Sequence, residues 1–150
     1  MTNPDYVGLL QECLHELEKW TKDGKCNPKT EADVQCFLYH CLLEKLGSAK
    51  DIHAELRIKR KRIDLFIGDR ALVEIKYILR SGNREEPDWR SRFEDAEKAI
   101  DRLRECMKDR IGVLVIYAES YNREKDEEWY DAVKESCEKS GIIMLRGWKP

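Results

Sequence analysis

"RIDLFIGDRALVEIK", residues 62–76, decides how this chain folds. Two apolar runs flank Gly68-Asp69-Arg70, a turn signal, so the stretch reads as a β-hairpin. A three-residue loop of Gly68, Asp69 and Arg70 sets Ile67 opposite Ala71, Leu65 opposite Val73 and Ile63 opposite Ile75. One face is then wholly apolar, which is what fixes register in a sheet. A two-residue loop would mix charge into that face. The other face pairs Phe66 with Leu72, Asp64 with Glu74 and Arg62 with Lys76. Directly opposed side chains have Cβ atoms about 4.5–5.5 Å apart, and like charges so placed are destabilising. Asp64 and Glu74 therefore converge, with Lys76 two residues along. A bound cation is the usual remedy, and hard oxygen ligands at this separation suit Mg²⁺ or Mn²⁺.

Outward from the hairpin, apolar spacing predicts a helix over residues 4–21, with the stripe Tyr6, Leu9, Leu10, Cys13, Leu14, Leu17 and Trp20. Gly24 is its candidate C-cap. A second helix starts near Pro28 or Thr30, where Thr30-x-x-Asp33 is a capping-box variant, and ends at Gly47. Strands are expected at 52–58, 63–67 and 71–78. Residues 80–92 read as a polar loop, 93–107 as a helix, and 111–117 as a strand buried on both faces. A charged helix over 124–140 and a short strand over 142–145 complete the chain. Hairpin strands followed by strands alternating with helices predict one α/β domain over 1–150. The expected fold class is a three-layer sandwich around a central mixed sheet, with helix 4–21 added to the core.

The constellation resembles the PD-(D/E)xK phosphodiesterase superfamily, the restriction-endonuclease-like fold. The matching residues are Asp64, then Glu74-Ile75-Lys76, then Glu31 on a preceding helix in "KTEADVQCF", with Tyr77 after the lysine. Ile63 stands where the name has proline, and the helix after Lys76 lacks the glutamine motif of some branches. The resemblance implies a metal-dependent nuclease, acting on DNA in preference to RNA, that leaves a 5′-phosphate and a 3′-hydroxyl. It implies Mg²⁺ or Mn²⁺ held by Asp64, Glu74 and the Ile75 backbone carbonyl, with Glu31 completing the shell and Lys76 orienting or deprotonating a water. Restriction-like, junction-resolving and repair or defence nucleases all fit. A symmetric homodimer is one expected way to reach two strands, with helix 4–21 as a candidate interface.

Plainer readings stand beside these. Asp64, Glu74 and Lys76 would also suit a solvated sheet face. Glu31 in a first helical turn is favoured by the helix dipole alone, and Gln35 one turn later is an ordinary surface residue or a site neighbour. A fold kept as a non-catalytic nucleic-acid- or protein-binding module is the alternative function.

Net charge is −2 with 39% charged residues, so any electrostatic footprint is local. The basic run Lys59-Arg60-Lys61-Arg62, with Arg57 before it, precedes Asp64 and is a candidate phosphate contact. Arg80, Arg84, Trp89, Arg90 and Arg92 follow Lys76, where they could clamp phosphates and stack on bases. No apolar run reaches membrane-spanning length and no signal-peptide pattern opens the chain, so a cytoplasmic protein is expected. The six cysteines form no C-x-x-C pair and read as reduced, buried residues in preference to a disulfide or cluster. His15, His40 and His53 lack metal-ligand spacing, and no P-loop or G-x-S-x-G motif is present.

Overall fold

The computed structural model of the chain describes residues 4–78, 89–119 and 123–149, with the side chains of 89–92 and 123–126 outside that description. Helices α1 (Tyr6–Lys22) and α2 (Glu31–Leu46) precede strands β1 (Ile52–Ile58), β2 (Lys61–Ile67) and β3 (Ala71–Ile78). Helix α3 (Trp89–Met107), strand β4 (Ile111–Ala118), helix α4 (Arg123–Lys139) and strand β5 (Ile142–Trp148) follow. The five strands form one sheet in sequence order, β1-β2-β3-β4-β5. The first three strands are antiparallel, and β3, β4 and β5 are parallel. The class is therefore α/β around a mixed sheet.

Side-chain alternation explains why helices cover both faces. Val113, Val115 and Tyr117 of β4 join Leu65, Ile67, Val73 and Ile75 in a core with α1 and α2. Leu114 and Ile116 point the other way, into a core with Leu72, Phe66 and the inner stripes of α3 and α4. Helix α1, weighed above as an interface, buries Leu10, Cys13, Leu14 and Leu17 against this chain's own sheet. Helix α2 starts where the capping box places it. The Thr30 side chain accepts from the Asp33 amide at 3.2 Å and the Asp33 carboxylate accepts from the Thr30 amide at 3.2 Å. Glu31 is thereby fixed as the first helical residue.

The hairpin follows the expected register for three pairs: Ile67–Ala71, Phe66–Leu72 and Leu65–Val73. There the β2–β3 ladder stops, although both strands run on. Asp64–Glu74, Ile63–Ile75 and Arg62–Lys76 are thus not ladder pairs. The β1–β2 pairing also skips Glu55 and Asp64, and Glu55 takes a left-handed φ of 56°. Past this point the hairpin has turned over. Ile63, expected beside Leu65, packs with Leu56 and Ile58 against the α3–α4 core instead. A strand keeps a strict period of two only while its backbone stays extended, and Glu55 breaks that run.

Two further expectations change. Helix α3 begins at Trp89, so Trp89, Arg90 and Arg92 lie in helical backbone and not in a loop. Cys36 lies on the exposed side of α2 and Cys26 is half-buried in the α1–α2 connection, while Cys13, Cys41, Cys106 and Cys137 are buried thiols. Among the described residues, no helix is long and apolar enough to cross a membrane.

The register rests on Gly68. Its φ of 59° is left-handed, and a Cβ there would run into the buried Tyr6 side chain of α1. Gly68→Ala is expected to cost about 2–4 kcal/mol through backbone strain and overpacking together. Asp69→Gly, next door at φ 55°, relieves strain without a clash and is expected to be neutral or mildly stabilising. Urea denaturation of the two variants measures the contrast.

Candidate active site

Where β2 leaves β3, one edge of β3 loses its strand partner. The other edge stays paired with β4 through Ile78–Ala118. Buried amides must find acceptors. The Ile75 amide donates to Asp64 Oδ2 at 2.7 Å, and the Tyr77 amide donates to Glu31 Oε1 at 3.3 Å. On the departing strand, the Asp64 carbonyl accepts from Gln35 Nε2 at 2.9 Å. Two carboxylates and one carboxamide thus stand in for the missing ladder. They also pin Asp64 and Glu31 into the opening.

The opening holds a cavity of about 270 Å³ lined by Glu31, Arg62, Asp64, Glu74, Lys76 and Arg102. A second hollow on the α2 side, about 470 Å³, shares Glu31, Arg62 and Asp64 with it and adds Gln35, Glu55 and Tyr77. Asp64, Glu74 and Lys76 are therefore gathered at one place, as the hairpin reading required, and Glu31 from α2 lines the same cavity. Convergence comes from the splayed strands and not from direct cross-strand opposition.

Glu74 is the buried member, its side chain 3% exposed. Its Oε2 accepts from Arg102 at 3.0 Å, while Oε1 has no hydrogen-bond partner among the described residues. Burial pushes the Glu74 carboxyl from 4.5 up to about 7, with the Asp64 charge adding to the rise and Arg102 opposing it. Burial also raises the Asp64 carboxyl, against the pull of the Ile75 amide. Lys76 Nζ lies 3.8 Å from Glu31 Oε1, a weak ion pair at the cavity mouth.

A divalent ion fits this donor set. Two hard carboxylates face one hollow, one of their oxygens is buried and unpartnered, and the local charge disfavours having both ionised with nothing between them. Glu31 is already engaged by the Tyr77 amide and Lys76. Among the described residues, no three His, Cys, Asp or Glu side chains come together as a ready-made metal cage.

Arg102 is the member that sequence reasoning missed. It lies three residues after Ala99 and four before Cys106, on the edge of the α3 stripe that faces the sheet. A cation on an otherwise apolar inner stripe was the available signal.

The basic run is divided by the fold. Lys59 and Arg60 form the β1–β2 turn, both left-handed at φ 50° and 68°. Lys61 pairs with the Glu105 carboxylate of α3, and Lys59 Nζ donates to the Glu105 carbonyl at 3.3 Å. Arg62 pairs with Glu55 at 3.1 Å beside the cavity. Arg57 lies opposite Arg62 across the two strands and is exposed, as is Arg60. Arg80 and Arg84 lie outside the described residues, as do the side chains of Trp89 and Arg90.

No protein-family model, curated protein or solved structure matches the chain. Geometry and chemistry alone carry the assignment of the site.

The raised Glu74 pKa makes a stability prediction. The folded chain holds this proton more tightly than the unfolded chain does. Its contribution is therefore present at pH 4.5 and below, and is lost as pH rises through about 7. Glu74→Gln removes the loss. In chelator, its melting temperature is expected to exceed wild type at pH 8 and to approach it at pH 5. A difference that stays constant across pH, measured by thermal denaturation, would contradict the burial argument.

Proposed function

We propose that the chain is a metal-dependent nuclease of the restriction-endonuclease-like fold, hydrolysing phosphodiester bonds in DNA in preference to RNA. The observation that carries this reading is the buried Glu74 carboxylate. One of its oxygens is unpartnered, and it shares a cavity with Asp64, Lys76 and two arginines. A sheet face meant only for solvent has no reason to bury such a group, because burying a charge is costly even when one of its oxygens is paired, as Oε2 is with Arg102.

Asp64, Glu74 and the Ile75 carbonyl are the groups that would hold Mg²⁺ or Mn²⁺. When bound, the ion supplies Lewis-acid polarisation of the phosphate and a more acidic water. The protein's own part is positioning. The Ile75 amide holds Asp64 at 2.7 Å, and the long β3–β4 ladder holds the backbone of Glu74 and Lys76 rigid. Lys76, restrained by Glu31, donates N–H groups to a non-bridging phosphate oxygen as negative charge grows there. Arg62 at the rim offers a planar fork to the same or the neighbouring phosphate. Water oxygen attacks phosphorus and the bond to the 3′-oxygen breaks. The water's proton leaves to solvent, and the departing oxygen takes one up. The products are a 5′-phosphate and a 3′-hydroxyl.

The β1–β2 hairpin supports nucleic acid as the substrate. Arg62 is tied to Glu55, and the exposed Arg57 opposite it on β1 adds a second guanidinium beside the cavity, placed to meet a phosphate. A second reading, a non-catalytic binding module, is favoured by the Arg102–Glu74 pair, which offsets the buried acid without any ion. Calorimetric titration with Mn²⁺ separates the two, since a module gives no binding heat.

The catalytic test is incubation with plasmid, linear, single-stranded and branched DNA, and with RNA, in Mg²⁺ or Mn²⁺. DNA cleavage is expected, with a loss of at least about a hundredfold in Glu74→Ala and Lys76→Ala. Equal product from wild type and Glu74→Ala would sink the nuclease. For the hairpin, Arg57→Ala and Arg60→Ala are each expected to weaken DNA binding across sequences. Each should lower the slope of log affinity against log salt by about one, as fluorescence anisotropy at several salt concentrations can show.

A further inference from the structure

The Glu74 carboxylate is shared unequally. Oε2 is taken by Arg102, and Oε1 is buried without a hydrogen-bond partner among the described residues. The two side chains differ in freedom. Glu74 is 3% exposed and anchored on a strand in the middle of the sheet, whereas Arg102 is 32% exposed and reaches in from α3 on a flexible stem. Arg102 is thus a cation that can yield, set against an acid that cannot move away.

The cavity also balances its charges. Glu31, Asp64 and Glu74 meet Arg62, Lys76 and Arg102, three of each sign. Arg62 is drawn to Glu55, and Lys76 lies nearest Glu31. That leaves Arg102 as the cation in contact with Glu74, which faces Asp64. A divalent ion entering between Asp64 and Glu74 would meet the guanidinium at the same carboxylate. The two cations repel each other at short range, in surroundings where water screens them poorly.

We propose that Arg102 is a resident counter-cation that competes with the divalent ion for Glu74 and so sets how weakly the site binds metal. The inference rests on the metal-dependent reading above. By linkage, a cation that disfavours metal binding is itself disfavoured by bound metal, to the same extent. Metal entry therefore loosens the Arg102–Glu74 pair and leaves the guanidinium, on its half-exposed stem, at the wall of the cavity. The opposite role is equally specific. If Arg102 merely orients Glu74 for the ion, as partners of metal-binding carboxylates do, removing it weakens metal binding.

Three variants separate charge from orientation. Arg102→Met keeps bulk and removes charge, Arg102→Lys keeps charge and removes the planar fork, and Arg102→Gln is a second neutral form should Met fold poorly. The probe is Mn²⁺ alone, titrated by calorimetry at pH 8, with thermal denaturation in chelator beside it. Under competition, Arg102→Met and Arg102→Gln bind Mn²⁺ more tightly, on the order of tenfold, and Arg102→Lys stays near wild type. In chelator the neutral variants melt lower than wild type, and added Mn²⁺ raises their melting temperature by more than it raises wild type's. Unchanged or weaker Mn²⁺ binding in both neutral variants overturns the proposal while leaving the metal site intact. A silent titration of wild type overturns it together with the metal-dependent reading.

Discussion

The hydrogen bond from the Ile75 amide to the Asp64 carboxylate, 2.7 Å long, closes a gap that would otherwise open the sheet. A strand that loses its neighbour must satisfy its freed amides in some other way. On β3 those amides are Ile75 and Tyr77, two residues apart and on the same edge. Carboxylates meet both, Asp64 from the departing strand and Glu31 from the first turn of α2. The backbone thus recruits acids to the one place where the sheet parts. Asp64 and Glu31 have a structural reason to be there that is independent of chemistry, and the same bonds aim them at a common hollow.

Glu74 has no such reason. It makes none of the bonds that repair the edge, and its neighbours on β3 are buried apolar residues. Its burial beside Asp64 raises its pKa, and only Arg102 works against that through direct contact. Replacing a buried ion pair with apolar side chains is often neutral or stabilising. A leucine at position 74 would fill a sheet position of this kind at lower electrostatic cost. The asymmetry between the acids that mend the backbone and the acid that does not is what singles out Glu74 as the group to explain.

Much of this was legible in the sequence because it depends on short-range rules. Gly68 with its neighbours fixed the turn, and the turn with the apolar alternation of 65–67 and 71–75 fixed the register. The unbroken apolar run of β4 announced a strand covered on both faces, and Thr30 with Asp33 announced the start of α2 and the place of Glu31. What escaped was non-local. The left-handed Glu55 turns the hairpin over, yet nothing about a glutamate in a strand-like run signals a positive φ. Ile63 changed cores as a consequence. Arg102 lies twenty-eight residues beyond Glu74, and no periodic rule pairs a helix position with a strand position that far off. The start of α3 at Trp89 was hidden by the polar character of the residues before Phe93.

The turned-over hairpin gives α3 a double task. One turn beyond Arg102, Glu105 receives Lys61 through its carboxylate and Lys59 through its carbonyl. The same helix face therefore touches Glu74 on β3 and props the β1–β2 hairpin on its far side. The contacts form a ring: from Glu74 to Arg102, along α3 to Glu105, across to Lys61, down β2 to Asp64, and back to β3 through the Ile75 amide. Within that ring, the gap between β2 and β3 is bridged twice, by a hydrogen bond at its floor and by a helix at its mouth. A bare two-stranded ribbon leaving a sheet would be free to swing. Bridged in this way, it keeps Asp64 beside Glu74 and carries the exposed Arg57 and Arg60 on a braced hairpin next to the cavity, the arrangement that the nuclease proposed above would use to hold a phosphate backbone.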